Sequence, residues 1–199
     1  MAAGFITAGG RSSRMGRDKA WLKLGGRAMI ERVIAALAPV ASSLAIIAND
    51  DEYKRLGFPV FADTHIGVGP LEAIRTALAN AATRRVVLVG CDMPFVTPEL
   101  FRFLLGIEGD YQAIVPVGPD DRLEPLCAVY STEAIAPVTS LIQSGERKVS
   151  RLFNIIPTRM VAFDEIAQLR GALFFFQNIN TPEEYARAVE LMQERETGG

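Results

Sequence analysis

The sequence predicts an α/β fold of three layers, a mostly parallel sheet with helices on both faces. Two observations lead to it. Apolar runs of strand length stop at turn residues: residues 1–7 run into Gly9-Gly10, and the most hydrophobic run, 86–89, ends in Gly90, Cys91 and Asp92. Between such runs lie segments with apolar residues at helical spacing, two of which carry proline at the first-turn position, Pro70 and Pro98.

In chain order, residues 1–7 read as a buried strand. Residues 28–37 place Met29, Ile30, Val33, Ile34 and Leu37 on one helical face, and Pro39 stops the helix. Residues 44–48 form a second strand, followed by polar Asn49, Asp50 and Asp51. Residues 59–62 form a short strand ending at Asp63, and a helix runs from Pro70 to about residue 82. After the strand at 86–89, Thr97 caps a helix with Pro98 just inside it. Residues 113–116 and 126–130 read as strands around the polar turn "GPDDRLEP", residues 132–143 and 148–153 as helices, and residues 159–163 and 172–176 as two more strands. Thr181, Pro182, Glu183 and Glu184 open a C-terminal helix, and the last residues are expected to fray. No repeat, linker or low-complexity segment divides the chain. It reads as a single domain, 1–199.

Composition narrows the function. The 199 residues are 49 % hydrophobic, enough for a sizeable core. Lys and Arg number 21 against 23 Asp and Glu, a net charge of −2. The broad basic excess of a nucleic-acid coat is missing, so no nucleic-acid partner is expected. No charged segment precedes an apolar stretch at the N-terminus, and the longest uncharged run, 33–49, is broken by Pro39, so neither a signal peptide nor a membrane span is expected and the location expected is cytoplasmic. Cys91 and Cys127 lie in apolar runs and form no C-x-x-C pair; they read as reduced, buried thiols. The single histidine, His65, excludes mechanisms that need two.

Against that balanced background, "ITAGGRSSRMGRDKAWLKLGG" stands out. Arg11, Arg14, Arg17, Lys19, Lys23 and Arg27 crowd into a loop with one acid, Asp18. Glycines allow backbone N–H groups to approach a ligand, and the cations add charge-assisted bonds to phosphate oxygens. The spacing matches neither G-x-x-x-x-G-K-[ST] nor G-x-G-x-x-G. Gly9, Gly10 and Gly16 with Arg14 and Lys19 make a different phosphate cradle; an ordinary solvated basic loop is the plainer alternative. In open parallel sheets ligands bind at the carboxyl ends of strands. Asp92 occupies such an end and suits a hard cation such as Mg²⁺, or else caps a turn. Asp63 occupies another, with Gly67 and Gly69 behind it in a bend able to receive a ribose or a base; a plain turn residue fits Asp63 equally well.

Together these residues resemble the molybdenum cofactor guanylyltransferases. "TAGGRSSRMGRDKA" is similar to that family's opening signature, and "GPLEAI", "VGCDMPF", "EPLCAVY", "SGERKV" and "NINTPEE" follow in the family's order, from about residue 4 to 190. The opening motif alone is shared with other nucleotidyltransferases; the combination is much more specific. The resemblance implies a Rossmann-like nucleotidyltransferase fold and transfer of GMP from GTP to the terminal phosphate of molybdenum-molybdopterin, with release of pyrophosphate. It implies nucleotide contacts from Thr7, Ala8, Gly9, Gly10, Lys19, Asn49, Asp63, Gly69 and Asp92. Arg14, Lys19 and Asp92 would be catalytic, with Asp92 the ligand of a Mg²⁺ cofactor. Arg147 and Lys148, with Asn178 and Asn180, would face the acceptor, so that residues 1–105 would form the GTP-binding half and residues 106–199 the acceptor-binding half. GTP and molybdenum-molybdopterin are the expected partners, with molybdoenzyme maturation proteins as candidate protein partners. Glu124 stands where many relatives carry Gln or His, and the loop is one residue shorter than in some relatives between Gly16 and Asp18.

The chemistry implied needs no general base. A phosphate monoester has a second pKa near ~6, so the acceptor oxygen is already an anion at neutral pH. The obstacle is repulsion between that anion and a triphosphate, which clustered cations relieve. Rival readings are a cytidylyltransferase of the same fold, which typically has A-A-G where this chain has Ala8-Gly9-Gly10, a sugar-phosphate nucleotidyltransferase, and a nucleotide-binding module without turnover.

Overall fold

The computed structural model describes residues 1–9, 18–64 and 68–197, with side chains to residue 193. Gly10, Arg11, Arg14, Gly16, Arg17, His65 and Gly67, all singled out above, lie outside the described residues. The strands are β1 (Ala2–Thr7), β2 (Lys23–Leu24), β3 (Arg27–Ala28), β4 (Ala41–Ile47), β5 (Val60–Phe61), β6 (Arg85–Gly90), β7 (Ala113–Pro116), β8 (Cys127–Ser131) and β9 (Thr158–Val161). The helices are α1 (Met29–Leu37), α2 (Pro70–Ala79), α3 (Pro98–Gly106), α4 (Ile135–Gln143), α5 (Ser150–Ile155), α6 (Phe163–Ile166), α7 (Ala172–Phe175) and α8 (Pro182–Thr197).

Seven strands form one sheet in the order β5-β4-β1-β6-β8-β7-β9. β5, β4, β1 and β6 run parallel, β8 runs antiparallel to both neighbours, and β9 is parallel to β7. The sheet is continuous across residue 105. Alternation within each strand supplies two apolar faces. Ile6, Ile46, Val87 and Val89 pack under α1 and α3 on one side. Phe5, Ile47, Val86 and Leu88 pack under α2, α4 and α5 on the other. A third cluster joins Leu22, Leu24, Met29, Phe95 and Ile179 to Ala188 of α8. That last contact carries the C-terminal helix onto the β2–β3 hairpin, where Tyr185 Oη donates to the Lys23 carbonyl at 2.7 Å.

The sequence-based elements need three corrections. Residues 172–176, expected as a strand, form α7. Gly171 turns the chain with φ 85°, and Ala172 and Phe175 are buried three residues apart while Leu173 is 66 % exposed, a helical pattern rather than an alternating one. The strand expected at 159–163 is β9, one residue earlier, and Phe163 opens α6 because Glu165 Oε1 accepts the Ala162 N–H at 2.9 Å. The β2–β3 hairpin was not foreseen; two-residue strands carry too little pattern. No described helix is long and apolar enough to cross a membrane.

Gly4 sits in the central strand because the two leucines beside it leave no room for a side chain. A Cβ there would stand 2.6 Å from Leu44 Cδ2 and 2.8 Å from Leu37 Cδ2. Gly4→Val is expected to destabilise the fold by about 1–3 kcal/mol through overpacking. Urea denaturation measures this, and an unchanged midpoint would show that α1 yields without cost.

Candidate active site

Chain direction reverses around β1. The chain leaves β1 through α1 to β4 on one side and returns through α2 to β6 on the other, which makes the carboxyl edge of β1 and β6 the switch point of the sheet. The two strands stay joined beyond their ends, because Cys91 N–H donates to the Thr7 carbonyl at 2.9 Å. Ala8 N–H in turn donates to the Ile47 carbonyl at 2.9 Å, tying the start of the glycine loop to β4. Gly9 follows with φ 76°, a conformation L side chains rarely adopt.

Lys19 opens a short 3₁₀ turn, Lys19–Trp21, capped by Asp18 Oδ1, which accepts the Ala20 N–H at 3.0 Å. From this turn Lys19 Nζ donates to Asp92 Oδ2 at 2.8 Å and to Asn180 Oδ1 at 2.7 Å. Three stretches of sequence thus meet at one ammonium, that of Lys19 itself and two others 73 and 161 residues away. Asp92 is placed by the tight turn after β6, where Met93 N–H donates to the Gly90 carbonyl at 3.2 Å. A Cβ on Gly90 would collide with Asp92 Oδ1, so glycine is what lets the carboxylate fold back over the strand end. Asn180 is placed by Ile179 N–H, which donates to the Asp92 carbonyl at 2.9 Å, and by the cap of α8. There Glu184 Oε2 accepts the N–H groups of Asn180 at 2.6 Å and Thr181 at 3.0 Å, while Glu184 N–H donates to Thr181 Oγ1 at 3.2 Å.

The residues after β4 and β5 reach the same edge. Asn49 is exposed at the end of β4. Asp63, two residues past β5, accepts from Thr76 Oγ1 at 2.9 Å; burial raises its pKa, that hydrogen bond opposes the rise, and Glu72 adds to it. Gly69 begins α2 with φ 78°. Glu72, 1 % exposed, holds this region together: its Oε1 accepts from Thr64 N–H at 3.0 Å and from Thr64 Oγ1 at 2.9 Å, and Arg75 bridges both carboxylate oxygens at 2.9 and 2.6 Å.

Of the expected acceptor residues, Asn180 is part of the Lys19 cluster and Asn178 lies two residues away beside Glu124. Asn178 Oδ1 is buried and, among the described residues, has no hydrogen-bond partner. Burial pushes the Glu124 carboxyl up to about 7, opposed by a hydrogen bond with Asn178 and reinforced by the charge of Asp120 and, less, of Asp92. Arg147 and Lys148 are not drawn into this cluster by any described contact. Their backbone N–H groups both donate to Glu146 Oε1 at 2.8 Å, the local pairing of a solvated helix start. The sequence reading missed Asp18, Tyr53, Glu72 and Thr76; the only signal was an aspartate directly before Lys19 and a lone aromatic residue in the polar stretch 49–55.

A sheet switch point beside a positive-φ glycine, with a lysine held between a carboxylate and an amide oxygen, is the setting of an α/β protein that handles nucleotide phosphates. The model of the MobA-like NTP transferase domain matches residues 4–160, and the chain belongs to that family of nucleotidyltransferases. A protein of Pelotomaculum thermopropionicum named "Probable molybdenum cofactor guanylyltransferase" is 36 % identical over 198 residues, covering 99 % of this chain and 96 % of its own. The "Molybdenum cofactor guanylyltransferase" of Vibrio campbellii is 34 % identical over 191 residues, 94 % of each chain. The crystal structure of molybdopterin-guanine dinucleotide biosynthesis protein A from Archaeoglobus fulgidus superposes with a TM-score of 0.83 at 27 % identity, covering 96 % of this chain and 99 % of that one.

Glu124 gives the site a pH signature. Its folded-state pKa of about 7 lies above the ordinary 4.5, so between these values the folded protein binds more protons than the unfolded chain, and stability falls as pH rises through that window. Glu124→Gln is expected to flatten this slope. Thermal unfolding of both proteins at about pH 5 and about pH 8 measures it, and equal slopes would place the titration elsewhere.

Proposed function

We infer that this protein transfers GMP from GTP to the terminal phosphate of molybdopterin, forming the guanine dinucleotide and releasing pyrophosphate. The observation that carries this reading is the meeting of Lys19, Asp92 and Asn180 at the switch point of a chain related along its length to guanylyltransferases. In the reaction the acceptor phosphate oxygen forms a bond to the α-phosphorus, and the bond from that phosphorus to the bridging oxygen breaks, its electron pair leaving with pyrophosphate. No proton needs removing from the acceptor at neutral pH.

The residues have distinct tasks in this reading. Thr7, Ala8 and Gly9 offer backbone at the end of β1, while Asn49, Asp63 and Gly69, after β4, after β5 and at the start of α2, receive the nucleoside. Gly10 and Arg14, outside the described residues, join them on the sequence pattern. Lys19 neutralises charge on the phosphates as it moves toward the leaving group. The donor set fits Mg²⁺: Asp92 Oδ2 and Asn180 Oδ1 are hard oxygens already gathered around one cation, the Lys19 ammonium, at 2.8 and 2.7 Å, and Mg²⁺ commonly takes one or two carboxylates with the rest of its shell from phosphates and water. Held there, Mg²⁺ would screen the approach of one anion to another and stabilise pyrophosphate. Asp92 and Asn180 would then release Lys19 to the nucleotide. Both substrates would be drawn from the cytoplasm, and the product would pass to a molybdoenzyme maturation protein.

The acceptor is placed beside the "NIN" segment, with Arg147 and Lys148 as its counter-charges. β8 runs away from the site edge, since Cys127 pairs with Val89 and Ser131 with Arg85; a helix that follows it and returns along the sheet would carry residues 144–149 back toward that edge.

Wild-type protein given each of the four nucleoside triphosphates, Mg²⁺ and molybdopterin is expected to form the guanine dinucleotide in preference to the others. Asp92→Ala should fold normally and lose at least about a hundredfold in rate, as removal of one electrostatic stabiliser typically does. Product analysis decides both points; preferential use of CTP, or near-normal transfer by Asp92→Ala at saturating Mg²⁺, overturns the reading.

The double variant Arg147→Ala, Lys148→Ala is expected to weaken apparent molybdopterin affinity by about thirtyfold, each charged contact contributing about 1 kcal/mol, with GTP affinity unchanged. Steady-state kinetics in both substrates checks this, and a loss confined to GTP would place the acceptor elsewhere.

A further inference from the structure

We propose that Tyr53 is the positioning residue for Lys19: its buried ring packs against Gly9 while its phenolic oxygen bonds to Asp18, the residue before Lys19, and so fixes the turn from which Lys19 reaches its partners. This goes beyond the guanylyltransferase reading and rests on it only for the identity of the nucleotide.

The geometry is specific. Tyr53 lies in the 3₁₀ segment Asp51–Leu56 after β4, and although that segment is polar and largely exposed, Tyr53 is 0 % exposed. Its hydroxyl donates to Asp18 Oδ2 at 2.5 Å. The ring edge lies against Gly9, where a Cβ would stand 3.7 Å from Tyr53 Cε2. One side chain therefore packs on the end of β1 with its ring and donates to the residue before Lys19 with its oxygen. The other carboxylate oxygen of Asp18 caps the turn through Ala20 N–H, and Asp18's carbonyl accepts Trp21 N–H at 3.3 Å. Both ends of that aspartate are thus committed to shaping the turn.

Packing locks the arrangement from the outside. Trp21 stacks on Tyr53 with ring centroids 5.2 Å apart and planes 26° apart, and the Arg55 guanidinium lies 3.7 Å from the Trp21 ring centroid. Burial, followed by the Asp18 bond, drives the Tyr53 hydroxyl far above the ordinary tyrosine range, so it remains a donor at any working pH. Asp18 is thereby held as the acceptor. A displacement of about 1 Å at such a support is enough to cost catalysis heavily, because Lys19 must meet phosphates at hydrogen-bond distance.

Tyr53→Phe in the full chain keeps the ring, its burial and the stack and removes only the oxygen. Trp21 is the chain's single tryptophan, so unchanged emission verifies that the stack survives. GTP affinity by calorimetry is expected to weaken by about tenfold and kcat to fall, the scale of losing one charge-assisted hydrogen bond, while the KM for molybdopterin stays within about twofold. In a Lys19→Ala background the same change should cost less than about twofold, since Tyr53 acts through Lys19. Asp18→Ser, which keeps a cap oxygen and removes the one to which Tyr53 donates, should reproduce the loss; if Tyr53→Phe fails to fold, Asp18→Ser is judged by the same criteria. Wild-type GTP affinity and rate in the foldable variant, or an equal loss with and without Lys19, overturns the assignment. A wild-type protein that binds no GTP instead fails the guanylyltransferase reading, and the Tyr53 criteria are then applied with the nucleotide it does bind.

Discussion

The ammonium of Lys19 between Asp92 and Asn180 is the interaction on which the arrangement of this molecule turns. At 2.8 Å, and with the lysine and aspartate side chains 16 % and 21 % exposed, the Lys19–Asp92 pair attracts with an energy on the order of 5 kcal/mol before desolvation is subtracted. Most of that attraction is offset by removing two ions from water, so the pair adds little to stability. Its importance is geometric. It requires the loop after β1, the turn after β6 and the entry to α8 to converge within hydrogen-bond reach, and each of them is separately anchored: by Asp18, by Gly90 and by the Thr181–Glu184 cap.

The strand order makes that convergence possible. Placing β1 between β4 and β6 opens a crevice at its carboxyl end and brings the ends of β4 and β6 alongside. Inserting β8 antiparallel next to β6 sends residues 124–126 back to the same edge, where Gly90 N–H donates to the Leu126 carbonyl at 2.7 Å. Glu124 reaches the cluster only because of that reversal. The hydrophobic faces then serve the site indirectly: the two large layers fix the strands, and the smaller cluster of Leu24, Met29, Phe95 and Ile179 fixes the C-terminal segment against the segment that carries Lys19.

The regular elements of the first half were legible because their patterns are strong. The run at 86–89 and the proline-started helices at 70 and 98 each satisfy period, cap and turn chemistry at once. Legibility failed where local and tertiary preferences diverge. "ALFFF" has strand-forming composition, yet β9 already ends the sheet and Gly171 turns the chain, so the segment coils and sends Phe174 against Phe95, ring centroids 6.2 Å apart. The hairpin at residues 23–28 is too short to carry periodicity. In the site, Lys19 and Asp92 were readable from their places beside a glycine loop and at a strand end. Tyr53 was not, because an aromatic residue among Asp, Glu, Lys and Arg reads as half-exposed until its neighbours are known.

The sequence by itself determined the layered α/β class, the edge at which ligands gather and the chemical types present there, because periodicity, capping and loop composition are local properties encoded within a few residues. It also carried the family, through motifs in fixed order. Only the tertiary structure decided which of those groups meet: that Asn180 joins Lys19 and Asp92, that Asn178 stands with Glu124, that Arg147 and Lys148 bond locally to Glu146, and that Tyr53 bonds to Asp18. Those pairings depend on strand order and on the direction of β8, which arise from burying two apolar faces at once, a condition no short stretch of the chain can satisfy or reveal alone.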